Sequence, residues 1–530
     1  MKYIRKVIAA MLCLAILFSL CGCKDGKSVI DSISNLGKQD QPAPKDEIGF
    51  TIPYLRTDSI DPFSATETMN RYVASLLFDP LYTLNSSFSP VGVIAKDSKL
   101  LDNKLTVTIK SGLKFTDGSA LTSADVVYSF NRAKESTAYI ALLENIEQAS
   151  ADGIYNIVFT LKSPDSGETA NLTFPIIKEF SDKKQDEYDS TDDEDNDNSN
   201  SSQTKLPIGS GRYTFVSNSE TKYLQYNAQR LGGYTPTYAK IGLADVADTE
   251  SLQSLFNLQR IDFYCDSFSD GKYAKFSKIS SKVELTNFVY LGVNSGSSVL
   301  SEPKVRRAIA LALDRSVLVS DSFAGCAVAT SLPFHPSFYK LKNCTVPTLK
   351  NKTDSAVELL ESVGYSKIGD TGARYSGDKS LNVTLLVNSE NDFRRSLARG
   401  IQQSLAKIGI LVTIREYSYS DYISAVENES FDLYIGETEL SNSFNLSKFF
   451  SEDGGLKYGI NQKSKSANTY SDYIGGDAEI QQFIDAFSDD LPFIPIAFRQ
   501  GIAVKSDNIK TDIVTHPNDG FANINEWTAQ

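Results

Sequence analysis

The chain of 530 residues is 41% hydrophobic, carries a formal net charge of -13 and holds only two histidines. A globular chain this long exceeds what one hydrophobic core usually serves, which predicts two or three lobes. The acidic balance argues against nucleic acid as a partner.

In chain order, Lys2, Arg5 and Lys6 give a basic start and Val7 to Leu20 a mostly apolar run, the layout of a secretion signal. The run is shorter than the roughly 20 residues a membrane span needs. Leu20-Cys21-Gly22-Cys23 resembles the bacterial lipobox, with Cys21 in place of the usual small residue. That likeness implies a lipoprotein signal peptide over 1–22, lipidation at Cys23, and a polar, flexible tether over 23–47 that holds the folded part at the extracytoplasmic face of the cell membrane. A Cys-x-Cys metal or redox pair is the alternative, but no partner ligands lie nearby. Beyond the anchor only Cys265, Cys326 and Cys344 remain. These are too few for a disulfide scaffold, although Cys326 and Cys344 could pair.

After "SIDPF", apolar residues at helical spacing run from Val73 to Leu77. Leu105, Val107 and Ile109 alternate as a half-buried strand, Asp117-Gly118 makes a turn, and Thr122 with Asp125 three residues on starts a helix. "IYNIVFTLKSP" reads as a strand. The composition then changes at Ser181 to Lys205, an acidic stretch predicted to be a disordered insertion. Asp193, Asp195 and Asp197 match the first positions of a calcium loop, but Asn198 and Thr204 stand where glycine and glutamate are required, so the stretch reads as a solvated loop. "PIGSGRYTF" brings glycines and a strand. "KIGLADVADTESLQSLFNLQRIDFY" reads as strand, helix, strand. "LNVTLLVN" is a strand followed by a helix capped by Asn391, with Phe393, Leu397, Ile401, Leu405 and Ile408 on one face and Gly409 at its end; "ILVTIREYS" is the next strand. Repeated strand-helix-strand segments predict an α/β architecture with parallel pairs. The late stretch from Ser471 to Phe498 supplies about one helix.

Catalytic signatures are absent from the sequence. His335 and His516 both precede proline, where the backbone is pushed toward extended or turn conformations. There is no G-x-S-x-G elbow, no G-x-x-x-x-G-K-[ST] loop and no H-E-x-x-H pair. Abundant carboxylates leave an extracellular hydrolase as a minor alternative. No enzyme activity, cofactor or metal site is expected.

Several stretches together resemble the bacterial extracellular solute-binding proteins of family 5, which serve ABC importers of oligopeptides, dipeptides, nickel and some oligosaccharides. "SIDPF" is similar to the family's L-D-P, "LKFTDGSALTSADVVYSFNRA" to K-F-x-D-G-x-x-x-T-A-x-D-V, and "PIGSGRYTF" to P-x-G-T-G-P-Y. "YLGVNSGSSVLSEPKVRRAIALALDRSVLV" and "AVELLESVGY" follow in the family's order. The motifs also have structural readings, as turns, caps and buried helix faces, with Arg306, Arg307 and Arg315 able to pair with carboxylates. The resemblance implies an α/β, periplasmic-binding-protein type 2-like fold: a bilobal ligand cleft with an additional third lobe. Residues 48–82, 205–288 and 495–530 are expected to form lobe I, residues 83–204 lobe II with the insertion 181–205, and residues 289–494 lobe III.

By position in the family, the ligand is expected to meet Thr66, Glu67, Tyr139, Tyr264, Asp266, Tyr290, Asn294, Glu437, Glu439 and Phe498. Ordinary core packing is the competing reading for the aromatics, and a strand-end hydrogen bond for Asn294. Where peptide-binding relatives carry a W-x-x-D-Y-like run, this chain has "IGETELSNSFN", so Glu437 or Glu439 would replace the aspartate that meets a peptide's ammonium group. The resemblance thus implies a lipid-anchored, monomeric binding protein that takes a small peptide to ABC permease subunits. An oligosaccharide or other organic solute, or a solute-sensing receptor, is the alternative.

Overall fold

The computed structural model describes residues 43–165, 167–182, 206–218, 221–232, 235–266, 279–347 and 352–529. The signal, Cys23, most of the tether and the acidic stretch after Asp182 lie outside the described residues. The first strand, Lys45–Leu55, begins inside the segment assigned to the tether, because Lys45 already pairs with Tyr238. Ser181 and Asp182 are also placed: Ser181 Oγ accepts from Ile208 N at 3.0 Å, and Asp182 is bound by Tyr128 and Arg132. The ordered part therefore extends into the stretch read as an insertion.

Three larger sheets organise the described residues. Lys45–Leu55 runs parallel to Tyr238–Val246, which continues antiparallel through Lys222–Tyr226 to Tyr213–Ser217. A second, antiparallel sheet has the order Ala95–Leu101, Lys104–Ile109, Asn156–Leu161, Ile146–Asp152. The helix Ser123–Glu135 buries Val126, Phe130 and Ala133, and its first turn carries the expected capping box, with Thr122 N donating to Asp125 Oδ2 at 2.8 Å. The largest sheet has the order Phe263–Asp266, Phe493–Lys505, Ser281–Val293, Leu433–Glu439, Asn382–Asn388, Leu411–Tyr417, with Ala327–Ala329 beside Phe493–Lys505.

The two strand-helix-strand segments differ in outcome. Asn382–Asn388 and Leu411–Tyr417 form a parallel pair joined by the helix Asp392–Ala406, whose cap Asn391 accepts from Arg394 N at 3.0 Å. Tyr238–Val246 and Phe263–Asp266 are joined by the helix Thr249–Asn257 but enter different sheets, and Phe263–Asp266 pairs antiparallel with Phe493–Lys505. The second strand took a partner from the far end of the chain, which local pattern cannot register. The late region also holds two helices, Lys465–Gly475 and Ile480–Asp490, where one was expected. Gly476, at φ 86°, ends the first in the left-handed conformation. Its start precedes the stretch that was read as a single helix.

Two large cores fill the described residues. One gathers residues from Phe50 to Leu285 together with Ala503 to Trp527; the other is built chiefly from residues 288–498. The strands Ser281–Val293 and Phe493–Lys505 pass from one to the other: Val283, Leu285 and Ala503 belong to the first core, Phe288 to Leu291 and Phe493 to Phe498 mostly to the second. Their pairing is irregular between Glu284 and Phe288. Cross-strand packing fixes the central register, where Tyr290 faces Gly436 and Gly292 faces Tyr434. Each tyrosine ring occupies the space a glycine leaves, since a Cβ on Gly292 would stand 2.0 Å from the Tyr434 ring and one on Gly436 2.3 Å from that of Tyr290. Among the described residues Cys326 and Cys344 form no disulfide with each other. Among the described residues no helix is long and apolar enough to cross a membrane.

Candidate functional site

A cavity of about 500 Å³ opens beside the helix Thr68–Leu77. Thr68, Arg71, Tyr72 and Ser75 line it at i, i+3, i+4 and i+7 spacing, one face of the helix, while Val73, Leu76 and Leu77 are buried in the core. Asp79 to Leu84, Tyr139, Leu142 and the loop from His516 to Asn525 supply further walls. Asn287 and Glu439 enter from neighbouring strands, paired in register across the sheet. The volume falls within the roughly 300–1,000 Å³ of small-molecule sites.

The wall is rich in charge. Arg230 holds Asp79 through two bonds, Nε to Oδ2 at 2.9 Å and NH2 to Oδ1 at 3.0 Å. Arg212 donates to the Phe521 carbonyl at 3.1 Å, and Asp519 Oδ1 accepts from Phe521 N at 2.8 Å. Asn518 donates to Asn442 at 3.3 Å, tying the C-terminal loop to the segment after Glu439. Burial pushes the Tyr139 hydroxyl up to about 12, against the opposing pull of Arg71. Glu439 is exposed, and its carboxylate has no hydrogen bond or ion pair among the described residues.

Of the residues expected to meet a ligand, Tyr139 and Glu439 line this cavity. Thr66 and Glu67 sit just before the helix, their backbone N–H groups bound to the Asp58 carboxylate. Tyr264 donates to Asp266 at 2.6 Å, and neither is among the residues that line the cavity. Tyr290 and Phe498 lie in an aromatic core, with Phe288 stacked on Tyr290 at 5.4 Å and tilted against Phe498 at 5.1 Å. Asn294 caps the strand end, donating to the carbonyls of Phe431 at 3.0 Å and Glu429 at 3.2 Å. Glu437 is held between two guanidiniums, at 3.1 Å from Arg499 and 3.3 Å from Arg394.

Arg71, Arg212, Arg230, Asn287 and Asp519 line the cavity without having been expected there. A signal for Arg71 was available, in the polar stripe Thr68, Arg71, Ser75 on a helix whose only other polar residue besides tyrosine is Asn70. Arg212 follows Gly211 just before a strand, Arg230 lies in the loop after Tyr226, and neither carries a comparable pattern.

Residues 89–452 match the sequence model of the bacterial extracellular solute-binding proteins, family 5 (middle region). The chain belongs to this family. Its function is accordingly to bind solute, without catalysis. Among curated proteins this solute-binding protein is similar to the oligopeptide-binding protein AppA of Bacillus subtilis, 24% identical over 557 residues that cover 98% of each chain. Among solved structures it is similar to a nickel ABC transporter protein from Bacillus halodurans, with TM-score 0.71, 18% identity, and 91% of this chain and 100% of that one covered. It is also similar to the murein tripeptide binding protein MppA in an unliganded open form, with TM-score 0.70, 18% identity, and coverage of 92% and 98%. These likenesses give the fold as that of the periplasmic-binding-protein type 2 class.

Proposed function

We propose that this solute-binding protein captures a short peptide in the cavity beside the helix Thr68–Leu77 and delivers it to an ABC permease, tethered to the membrane by a lipid on Cys23. Glu439 carries the peptide reading. It is a carboxylate without a protein partner among the described residues, at the wall of the cavity, and a peptide's ammonium group is the complementary charge. Glu437, its neighbour two residues earlier, is engaged with two arginines and is not the clamp in this reading. The similarity to AppA along almost the whole chain supports the same substrate class. The two strands that pass between the cores supply a route for closure: bending near the irregular pairing at Glu284 to Phe288 would bring the walls of lobes I and III together on the solute.

Short peptides, oligosaccharides and nickel-chelate complexes tested by thermal shift should give stabilisation by peptides, reduced by N-terminal acetylation and by Glu439→Gln. Stabilisation by sugars or chelates alone would replace the peptide reading. The anchor is tested separately: Cys23→Ala should abolish metabolic labelling with palmitate, and retained labelling would refute it.

A further inference from the structure

The cavity wall and the passage between the two cores meet in one irregular stretch of strand. Ser281–Val293 pairs with Phe493–Lys505 as far as Glu284 opposite Gln500 and resumes at Phe288 opposite Phe498, so Leu285, Thr286 and Asn287 stand against Arg499 alone. This is a bulge. On the other edge, pairing with Leu433–Glu439 begins only at Asn287, and beyond it Leu440 N donates to the Thr286 carbonyl at 3.1 Å. Leu285 and Thr286 thus enter neither register. Leu285 and Asn287 nevertheless line the cavity, while Glu284 and Thr286, which alternate with them, do not. Two wall residues therefore sit on a stretch that the ladders hold weakly.

Side chains brace the base of the bulge. Glu284 Oε1 accepts from Gln500 Nε2 at 2.8 Å, and Glu284 Oε2 meets His335 Nε2 at 3.0 Å. His335 Nδ1 accepts from Ser337 N at 3.1 Å, which leaves the ring proton on Nε2, directed at the carboxylate. The ring is 1% exposed and packs against Phe88 at 4.6 Å and Phe498 at 5.3 Å. Both phenylalanines belong to the second core, whereas Val283 and Leu285, on either side of Glu284, belong to the first. Burying an imidazole among aromatic rings is costly unless its nitrogens are bonded, and a phenyl ring would fill the space without that requirement. What the imidazole adds is the Ser337 turn and one directed bond to Glu284 across the boundary between the cores. We infer that His335 and Glu284 are positioning residues for ligand binding: together with Gln500 they hold the base of the bulge, and the bulge holds Leu285 and Asn287 at the cavity wall. The inference rests on reading this cavity as the ligand site. Because register between the two crossing strands is lost at Glu284, the brace also fixes the point about which they bend.

The test uses the full chain, amide hydrogen exchange of the ligand-free protein, and a panel of tripeptides read by concentration-dependent thermal shift. In Glu284→Ala, exchange over Leu285–Asn287 and at Leu440 should quicken about tenfold while the helix Asp392–Ala406 exchanges as in wild type, because a local opening frees only the amides it contains. Glu284→Gln, which keeps one acceptor oxygen, should fall between the two. Tripeptide binding should weaken about tenfold in Glu284→Ala, the scale of a lost hydrogen bond to a charged group. A double-mutant cycle separates positioning from general loosening: once Asn287→Ala has removed the wall contact, adding Glu284→Ala should weaken binding by about threefold at most, whereas independent effects multiply. Unchanged exchange over Leu285–Asn287 in Glu284→Ala, exchange that rises equally throughout the chain, or losses that multiply in the cycle overturn the inference. If no tripeptide shifts the wild type, the peptide reading falls, while local exchange still upholds or overturns the brace.

Discussion

Glu437 and Glu439 are two positions apart on one strand, so they share a face and stand about 6.6 Å apart along it. That single step separates a carboxylate paired with two arginines from one that lines the cavity. Glu437 pairs with Arg394 and Arg499, whose side chains are 15% and 3% exposed, and Glu437→Gln would remove the carboxylate that both of these buried guanidiniums hold. We expect it to destabilise the fold by about 2–4 kcal/mol, read from the urea midpoint, whereas Glu439→Gln should change stability by less than about 0.5 kcal/mol and act on ligand binding alone. Glu168 gives a second prediction at this scale. It is 1% exposed, and its carboxyl is raised from 4.5 to about 7, first by burial and then by Asp165, against hydrogen bonds from Asn145 and Asn171. Folding therefore takes up a proton between these values. The stabilisation is fully present below about pH 4.5 and is lost as pH rises through about 7, by an amount on the order of 3 kcal/mol. Glu168→Gln should remove this decline, and an unchanged urea-midpoint profile against pH in the variant would reject the assignment. The sequence displayed all of these carboxylates but not their partners: Arg394 and Arg499 are 43 and 62 residues from Glu437.

At the scale of elements, the legible features were those written locally. The capping box at Thr122, the cap at Asn391 and the apolar face from Leu397 to Leu405 all have the role their spacing dictated. Features set by distant backbone were not legible. "PIGSGRYTF" could be read as glycines before a strand, yet the reason for the glycines lies at the end of another helix, where Gly211 N donates to the Leu77 carbonyl at 3.0 Å. A Cβ on Gly211 would stand 2.3 Å from Leu77 C and 2.5 Å from its oxygen, both of them backbone atoms that cannot turn aside. Gly211→Ala should therefore destabilise by about 1–3 kcal/mol and loosen the helix that carries the cavity face, seen as faster amide hydrogen exchange over residues 68–77. Exchange equal to wild type would show that this contact does not hold the helix. The antiparallel placement of Phe263–Asp266 and the second late helix escaped for related reasons, one a long-range pairing and the other a helix whose start lay outside the stretch considered.

For the whole molecule, family membership and the α/β fold were carried by ordered motifs, while the cavity depends on five or more segments meeting in space. In the proposed mechanism, a solute touching walls from both cores would favour a closed form through contacts that only that form provides. Such a ligand adds about 2.7 kcal/mol of stability at a hundred times its dissociation constant. We propose that the cavity holds a short peptide whose ammonium group meets Glu439. Native mass spectrometry of the full chain, produced in peptide-rich medium and transferred gently, tests it most directly. We expect an adduct that fragments into a short peptide with a free amino terminus, present in the wild type and lost in Glu439→Gln. An adduct that persists in Glu439→Gln, or one whose fragments are sugars or metal chelates, would contradict it.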